Sequence, residues 1–155
     1  MVEKQVVVFS LNNQMCGVDT SQVQEIIRCQ DVVKVPDMPD FIDGIINLRG
    51  KVVPIINLNM RFELGETKIT DSTKIIVTNI NNVLTGFIVN DVTGILRFSE
   101  EEVENTPEIL LNEKNTYLIG VGKKDDMLIS MLDLGKILTD GEVKSVSYIS
   151  ETAAK

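Results

Sequence analysis

The sequence predicts an all-β protein: two small β-barrels that pack on each other and share a hydrophobic core, with a few short helices. Three observations predict it. Most apolar residues fall in short β-branched runs divided by Asn, Gly and Asp turn signals. Helical spacing is confined to two brief stretches. The chain also repeats itself.

The repeat sets the organisation. Leu11-Asn12-Asn13, Gly17-Val18, Val23 and Ile26 recur 69 residues later as Ile80-Asn81-Asn82, Gly86-Phe87, Val92 and Ile95. Phe41-Ile42, Gly44-Ile45 and Leu58 recur 76 residues later as Tyr117-Leu118, Gly120-Val121 and Leu134. The seven extra residues are expected in the acidic stretch around Ser99 to Pro107. The repeats span about 5–64 and 72–139, with the polar stretch Glu63 to Asp71 as linker and 140–155 as a tail. Each half is marginal in size for independent stability, so the halves should share one core, and strands are free to cross between them.

Each element follows in order. Val6 to Leu11 and Met15 to Val18 flank Asn12-Asn13, a pair that tolerates positive φ, and form a hairpin. Gly44 to Leu48 and Val52 to Ile56 flank the tight turn Arg49-Gly50-Lys51. Pro54 cannot donate to a ladder, which points to an edge position or a bulge. Asn57 to Phe62 is a short helical turn. Ile75 to Ile80 and Leu84 to Val89 repeat the first hairpin. Ser99-Glu-Glu-Glu102 is a capped, solvated helical turn. Leu118 to Gly122 and Met127 to Leu132 flank a polar loop, Lys123 to Asp126, and an Asp133-capped turn closes the second repeat.

Composition narrows the function. The chain has 155 residues and a formal net charge of −8, which disfavours nucleic acid and anionic membrane surfaces as partners. It contains no histidine, so Ser-His-Asp and Cys-His catalysis and the usual zinc sites are ruled out. Cys16 and Cys29 match no metal or redox spacing and read as structural. Asp37, Asp40 and Asp43 lack the EF-hand pattern, and Gly120-Val-Gly122-Lys123-Lys124 lacks a complete phosphate loop. No apolar run approaches the ~18 residues that cross a bilayer. The N-terminus has neither a basic region nor a small-residue cleavage site, so the expected location is the cytoplasm. No catalytic residue, metal or cofactor is expected.

Residues present in only one repeat are the better functional candidates. Glu25 corresponds to Gly94, and Arg49-Gly50 to Asp125-Asp126. Two readings of Arg49 stand: an exposed turn residue of little energetic weight, or a fixed arginine paired with Glu25 that shapes a partner groove.

The run Val35-Pro36 … Pro39-x-Phe41-Ile42-x-Gly44-Ile45-Ile46-Asn47-Leu48-Arg49-Gly50-x-Val52-Val53-Pro54-Ile55-Ile56-x-Leu58 resembles the central signature of the CheW-like domain family. Gly17-Val18 … Val23-x-Glu25-Ile26, Gly86 to Val92 and Leu118-x-Gly120-Val121 … Leu132-x-Leu134 extend the resemblance from about Val6 to Leu138. It implies two five-stranded SH3-like barrels in a single CheW-like domain. It also implies a non-catalytic adaptor joining the cytoplasmic tips of chemoreceptors to the histidine kinase CheA at arrays near the inner membrane. A CheV-type protein or a fragment of the CheA regulatory domain is the alternative. Carried over by motif, the receptor-binding groove is Val23, Glu25, Gly44, Arg49 and Gly50, with Ile88 and Val89 from the second repeat. A second surface, a barrel end, would meet the CheA regulatory domain.

Overall fold

Alternation of apolar and polar side chains, broken by left-handed turn residues, drives the described residues into eleven short strands arranged in two sheets. The computed structural model describes residues 3–80, 82–105 and 117–138. The 140–155 tail, Asn81 of the second turn pair, and Thr106 and Pro107 at the end of the stretch expected to hold the seven-residue insertion lie outside the described residues.

The strands are β1 Lys4–Leu11, β2 Gln14–Asp19, β3 Glu25–Arg28, β4 Ile42–Leu48, β5 Lys51–Asn57 and β6 Lys74–Ile80. They continue with β7 Val83–Val89, β8 Asp91–Phe98, β9 Val103–Glu104, β10 Leu118–Lys124 and β11 Met127–Leu132. One helix, α1 (Leu58–Arg61), follows β5, and 3-10 turns cover Thr20–Gln22, Glu100–Glu102 and Leu134–Lys136. Among the described residues no helix is long and apolar enough to cross a membrane.

The repeat is carried into the structure element by element. An offset of 69 takes β1 and β2 onto β6 and β7, and an offset of 76 takes β4 and β5 onto β10 and β11. Pairing repeats as well. Ile55 and Ile56 of β5 lie opposite Gly86 and Phe87 of β7 in parallel, just as Met131 and Leu132 of β11 lie opposite Gly17 and Val18 of β2. Ile26 of β3 pairs with Ile76 of β6, and Ile95 of β8 with Val7 of β1.

The sheets do not follow the repeat boundaries at 5–64 and 72–139. One sheet has the order β8-β1-β2-β11-β10-β9 and the other β3-β6-β7-β5-β4. The β1–β2 hairpin of the first repeat thus completes the barrel of the second, and β6–β7 completes the barrel of the first. The reason is the crossover after β2, where the capped Thr20–Gln22 turn carries the chain from one sheet to the other. One sheet has six strands rather than five because β9 is just long enough to form two pairs with β10, Glu104 with Val121 and Val103 with Gly122. Its counterpart in the other sheet is the single bridge from Val33 to Ile45.

Three buried clusters result. Val6, Val8, Phe98, Ile129 and Met131 fill one barrel. Ile46, Leu48, Val53, Ile55, Ile75, Val77 and Ile88 fill the other. The third is shared between the barrels and draws on both repeats, with Phe9, Val18, Ile56, Phe87, Leu132 and Leu134 among its members. At its margin Phe62 stacks on Tyr117 at 4.8 Å between ring centroids, and Arg61 donates to the Ile137 carbonyl, so the two terminal turns are joined.

Two local expectations are revised. Pro54 lies on β5, between β7 and β4 rather than at an edge. It is tolerated because the β5–β7 ladder begins only at Ile55, and the bulge lies opposite, in β4 between Ile42 and Gly44. The loop expected over Lys123 to Asp126 is the two-residue turn Asp125-Asp126, with φ of 48° and 65°, because the strands pair as far as Lys124 and Met127. The acidic turn forms as expected: the Ser99 N–H donates to Glu102 Oε1 at 2.9 Å in a capping box.

Candidate functional site

Glu25 opens β3 and Arg49 lies in the turn between β4 and β5. Strands β3 and β4 are the two edges of the five-stranded sheet, and the two residues are 24 apart in sequence. As that sheet curls into a barrel, Glu25 and Arg49 meet. Arg49 Nη1 donates to Glu25 Oε2 at 3.2 Å, and Nη2 donates to Oε1, giving the two-pronged pairing of a guanidinium with a carboxylate. The Arg49 side chain is 69% exposed and that of Glu25 is 26% exposed, so the pair stands at the surface with the arginine outermost. The hydrogen bond from Arg49 holds the Glu25 carboxyl below the usual carboxylate range, and Glu25 in turn holds the guanidinium charged. The expected pairing of Arg49 with Glu25 is present, on a turn residue that is also exposed.

The turn itself is built for this placement. Arg49 and Gly50 have φ of 50° and 83°, the two left-handed residues of a tight hairpin. The Gly50 N–H donates to Asn47 Oδ1 at 2.9 Å and fixes the turn from inside. A Cβ at Gly50 would meet nothing within 4 Å, so this glycine leaves open space beside the arginine.

The other expected residues divide. Val23 is half-buried against the shared core, one residue from the crossover turn. Beside it lies a cleft of about 380 Å³ bordered by Ser21, Gln22, Gln24, Thr78 and Asn79. Its walls combine hydroxyl and amide side chains with the apolar Val23. Gly44 is buried at the β4 bulge with φ of 144°, and a Cβ there would fall 2.0 Å from the Val33 carbonyl oxygen. It permits close approach of the chain's own backbone, as its counterpart Gly120 does beside Glu104, and it offers no surface to a partner.

Ile88 and Val89 are buried. They are 1% and 0% exposed, Ile88 inside the five-stranded barrel and Val89 in the shared core. Strand β7 is the middle strand of its sheet, so both of its edges are paired. The motif carried these two positions over, but a motif does not report accessibility. The structure therefore assembles Glu25, Arg49 and Gly50, sets Val23 at the adjoining cleft, and withdraws Gly44, Ile88 and Val89 into the framework.

Residues that sequence reasoning passed over complete the site. Asn47 supports the turn and carries a readable signal, an asparagine just ahead of a left-handed pair. Gln22, Gln24 and Thr78 give no local signal, since their contacts join distant parts of the chain. Among the described residues no group of three or more His, Cys, Asp or Glu is arranged to hold a metal ion, Asp37, Asp40 and Asp43 included. Cys16 is buried with its thiol pushed up to about 12, and burial together with nearby Asp43 and Asp31 raises that of Cys29, so neither is primed as a nucleophile.

Two small barrels fused through a shared core, with a surface ion pair at one of them, define the class of fold. The family model of the CheW-like domain matches residues 5–142, and the chain belongs to that family. It is 30% identical over 151 residues to the chemotaxis protein CheW of Klebsiella aerogenes, an alignment covering 97% of this chain and 91% of that protein. A crystal structure of the scaffolding protein TtCheW from Thermoanaerobacter tengcongensis superposes with a TM-score of 0.81 at 32% identity, covering 91% of this chain and 92% of that one. The chemotaxis protein CheV3 of Helicobacter pylori is 33% identical over 127 residues, but the match covers only 41% of its length.

Proposed function

We propose that this chain is a non-catalytic scaffold of chemotaxis signal transduction, coupling the cytoplasmic tips of chemoreceptors to the regulatory domain of the kinase CheA, in the cytoplasm at receptor arrays. End-to-end similarity to stand-alone CheW proteins carries the reading. The CheV-type alternative is disfavoured because the aligned region is less than half of the CheV relative. The absence of histidine supports a binding rather than a catalytic role.

The site gives the reading a mechanism. Glu25, Arg49 and Gly50 form a fixed, charged, sterically open corner, and Val23 lies at the cleft between the barrels. A helical receptor tip would lay its side chains along that cleft and set polar groups against the Arg49 corner. Such contacts raise avidity when many copies are arrayed, and they pass a signal only through different affinities for the states of the kinase.

Calorimetry of the purified chain with a soluble receptor signalling tip and, separately, with the CheA regulatory domain tests the proposal. Saturable binding to both is expected; binding to neither sinks it.

A further inference from the structure

We propose that Gln22 is a positioning residue for the receptor-facing cleft: its side-chain amide pins the crossover segment that bears Val23 and leads into Glu25 to the terminal turn of the opposite barrel. The inference rests on the scaffold reading only in assigning the cleft to the receptor.

Gln22 ends the 3-10 turn that carries the chain from β2 in the six-stranded sheet to β3 in the five-stranded one. Its Nε2 donates to Asp133 Oδ1 at 2.7 Å, and its Oε1 accepts from the Leu134 N–H at 3.0 Å. Donor and acceptor of one amide are thus both engaged by one turn, across more than a hundred residues of sequence. A carboxylate in this place would lose the donor and face Asp133 with like charge, whereas an ammonium or guanidinium would lose the acceptor. The main chain around Gln22 is held too. Its carbonyl accepts from the Thr78 hydroxyl, and the Gln24 N–H donates to the Val77 carbonyl at 2.8 Å. The segment is therefore braced by β6 on one side and by the Asp133 turn on the other.

Comparison of the repeats separates this brace from barrel architecture. The counterpart of Gln22 is Asp91, shorter and without a donor, and the counterpart of Asp133 is Asn57. Asn57 caps its own turn and donates to Asp43. The amide bridge therefore belongs to one copy, as Glu25 and Arg49 do, and to the same side of the molecule as Val23.

The test uses the full chain with Gln22→Glu, Gln22→Ala and the double variant Gln22→Glu/Asp133→Asn. Both single variants should weaken binding of the soluble receptor tip about tenfold while leaving affinity for the CheA regulatory domain unchanged. Hydrogen exchange at the Gln24 amide should quicken by a similar factor, with the β10–β11 hairpin unaffected. The double variant should restore both, because an amide at 133 still caps the turn and can donate to a carboxylate at 22. Unaltered exchange at Gln24 in Gln22→Glu, or no recovery in the double variant, overturns the inference. If wild-type protein fails to bind the tip, the scaffold reading falls, and the exchange data alone decide whether Gln22 holds the segment.

Discussion

An arginine with φ of 50° occupies a conformation that side chains with a Cβ adopt reluctantly, and Arg49 does so at the surface, where it adds nothing to a core. What it gains is a two-pronged bond to Glu25. Arg49→Asn should keep the turn, since asparagine tolerates this conformation, and lose the pair. Receptor-tip affinity is expected to fall about tenfold with little change in melting temperature, and a double-mutant cycle with Glu25→Ala should show strong coupling. The pair also has a pH signature. Because the Glu25 carboxyl is held below its ordinary value near 4.5, its contribution is complete above that value and is lost as pH falls through the depressed one. Carboxyl carbon titration should show this in wild type, with the midpoint returning upward in Arg49→Asn. Asp43 has the opposite sign: burial raises it, so its charged form opposes folding, and stability declines as pH rises through the raised value. Comparison of Glu25 with Gly94 and of Arg49 with Asp125 made the pair readable in the sequence. The burial of Ile88 and Val89 was not legible because alignment to a motif carries no information on accessibility, and Gln22 was invisible because its partners lie at 133 and 134.

Among the elements, the hairpins were the most legible. Asn12, Asn82 and Arg49 take positive φ at the turns, and flanking β-branched runs supply both arms. Strands β3 and β8 were not read. β3 is only four residues long, and β8 carries Gly94 in its middle, which breaks the alternation. Each lies at the edge of its sheet, where burial on one side is partial and the pattern weak. The two short helical turns were legible from helical spacing, with the Asp133 cap as a further signal for the second: Asn57 accepts from the Met60 N–H and Asp133 from the Gly135 N–H. Asn57→Ala should destabilise the protein by about 1 kcal/mol in a urea melt. The β4 bulge is far less tolerant. Gly44→Ala forces a Cβ into the Val33 carbonyl at positive φ and should cost at least about 3 kcal/mol, or prevent folding, as seen in the same melt.

At the scale of the whole molecule, the repeat told which residues are equivalent but not which of them pair. The same duplication is compatible with two contiguous barrels or with barrels that exchange hairpins, because the inward-facing positions are the same in both. The crossover at Thr20–Gln22 decides for exchange. A fragment of residues 1–64 then holds part of each barrel and only part of the shared core. It should be largely unfolded alone by circular dichroism and gain structure when mixed with a fragment of residues 65–155. A fragment of 1–64 that folds cooperatively on its own would contradict the interleaved core.

The exchange of hairpins also governs how the chain matures on the ribosome. Strand β1 is among the first to emerge, yet one of its neighbours, β8, begins at Asp91, and the partner of β2, β11, begins at Met127. The strands of the five-stranded barrel are contiguous from Glu25 to Val89, but the six-stranded barrel cannot close until β11, which ends at Leu132, has been synthesised. The nascent β1–β2 hairpin must wait with its apolar side chains unsatisfied, and the six-stranded barrel and the shared core should form late, at the slow end of the range set by distant strand pairing.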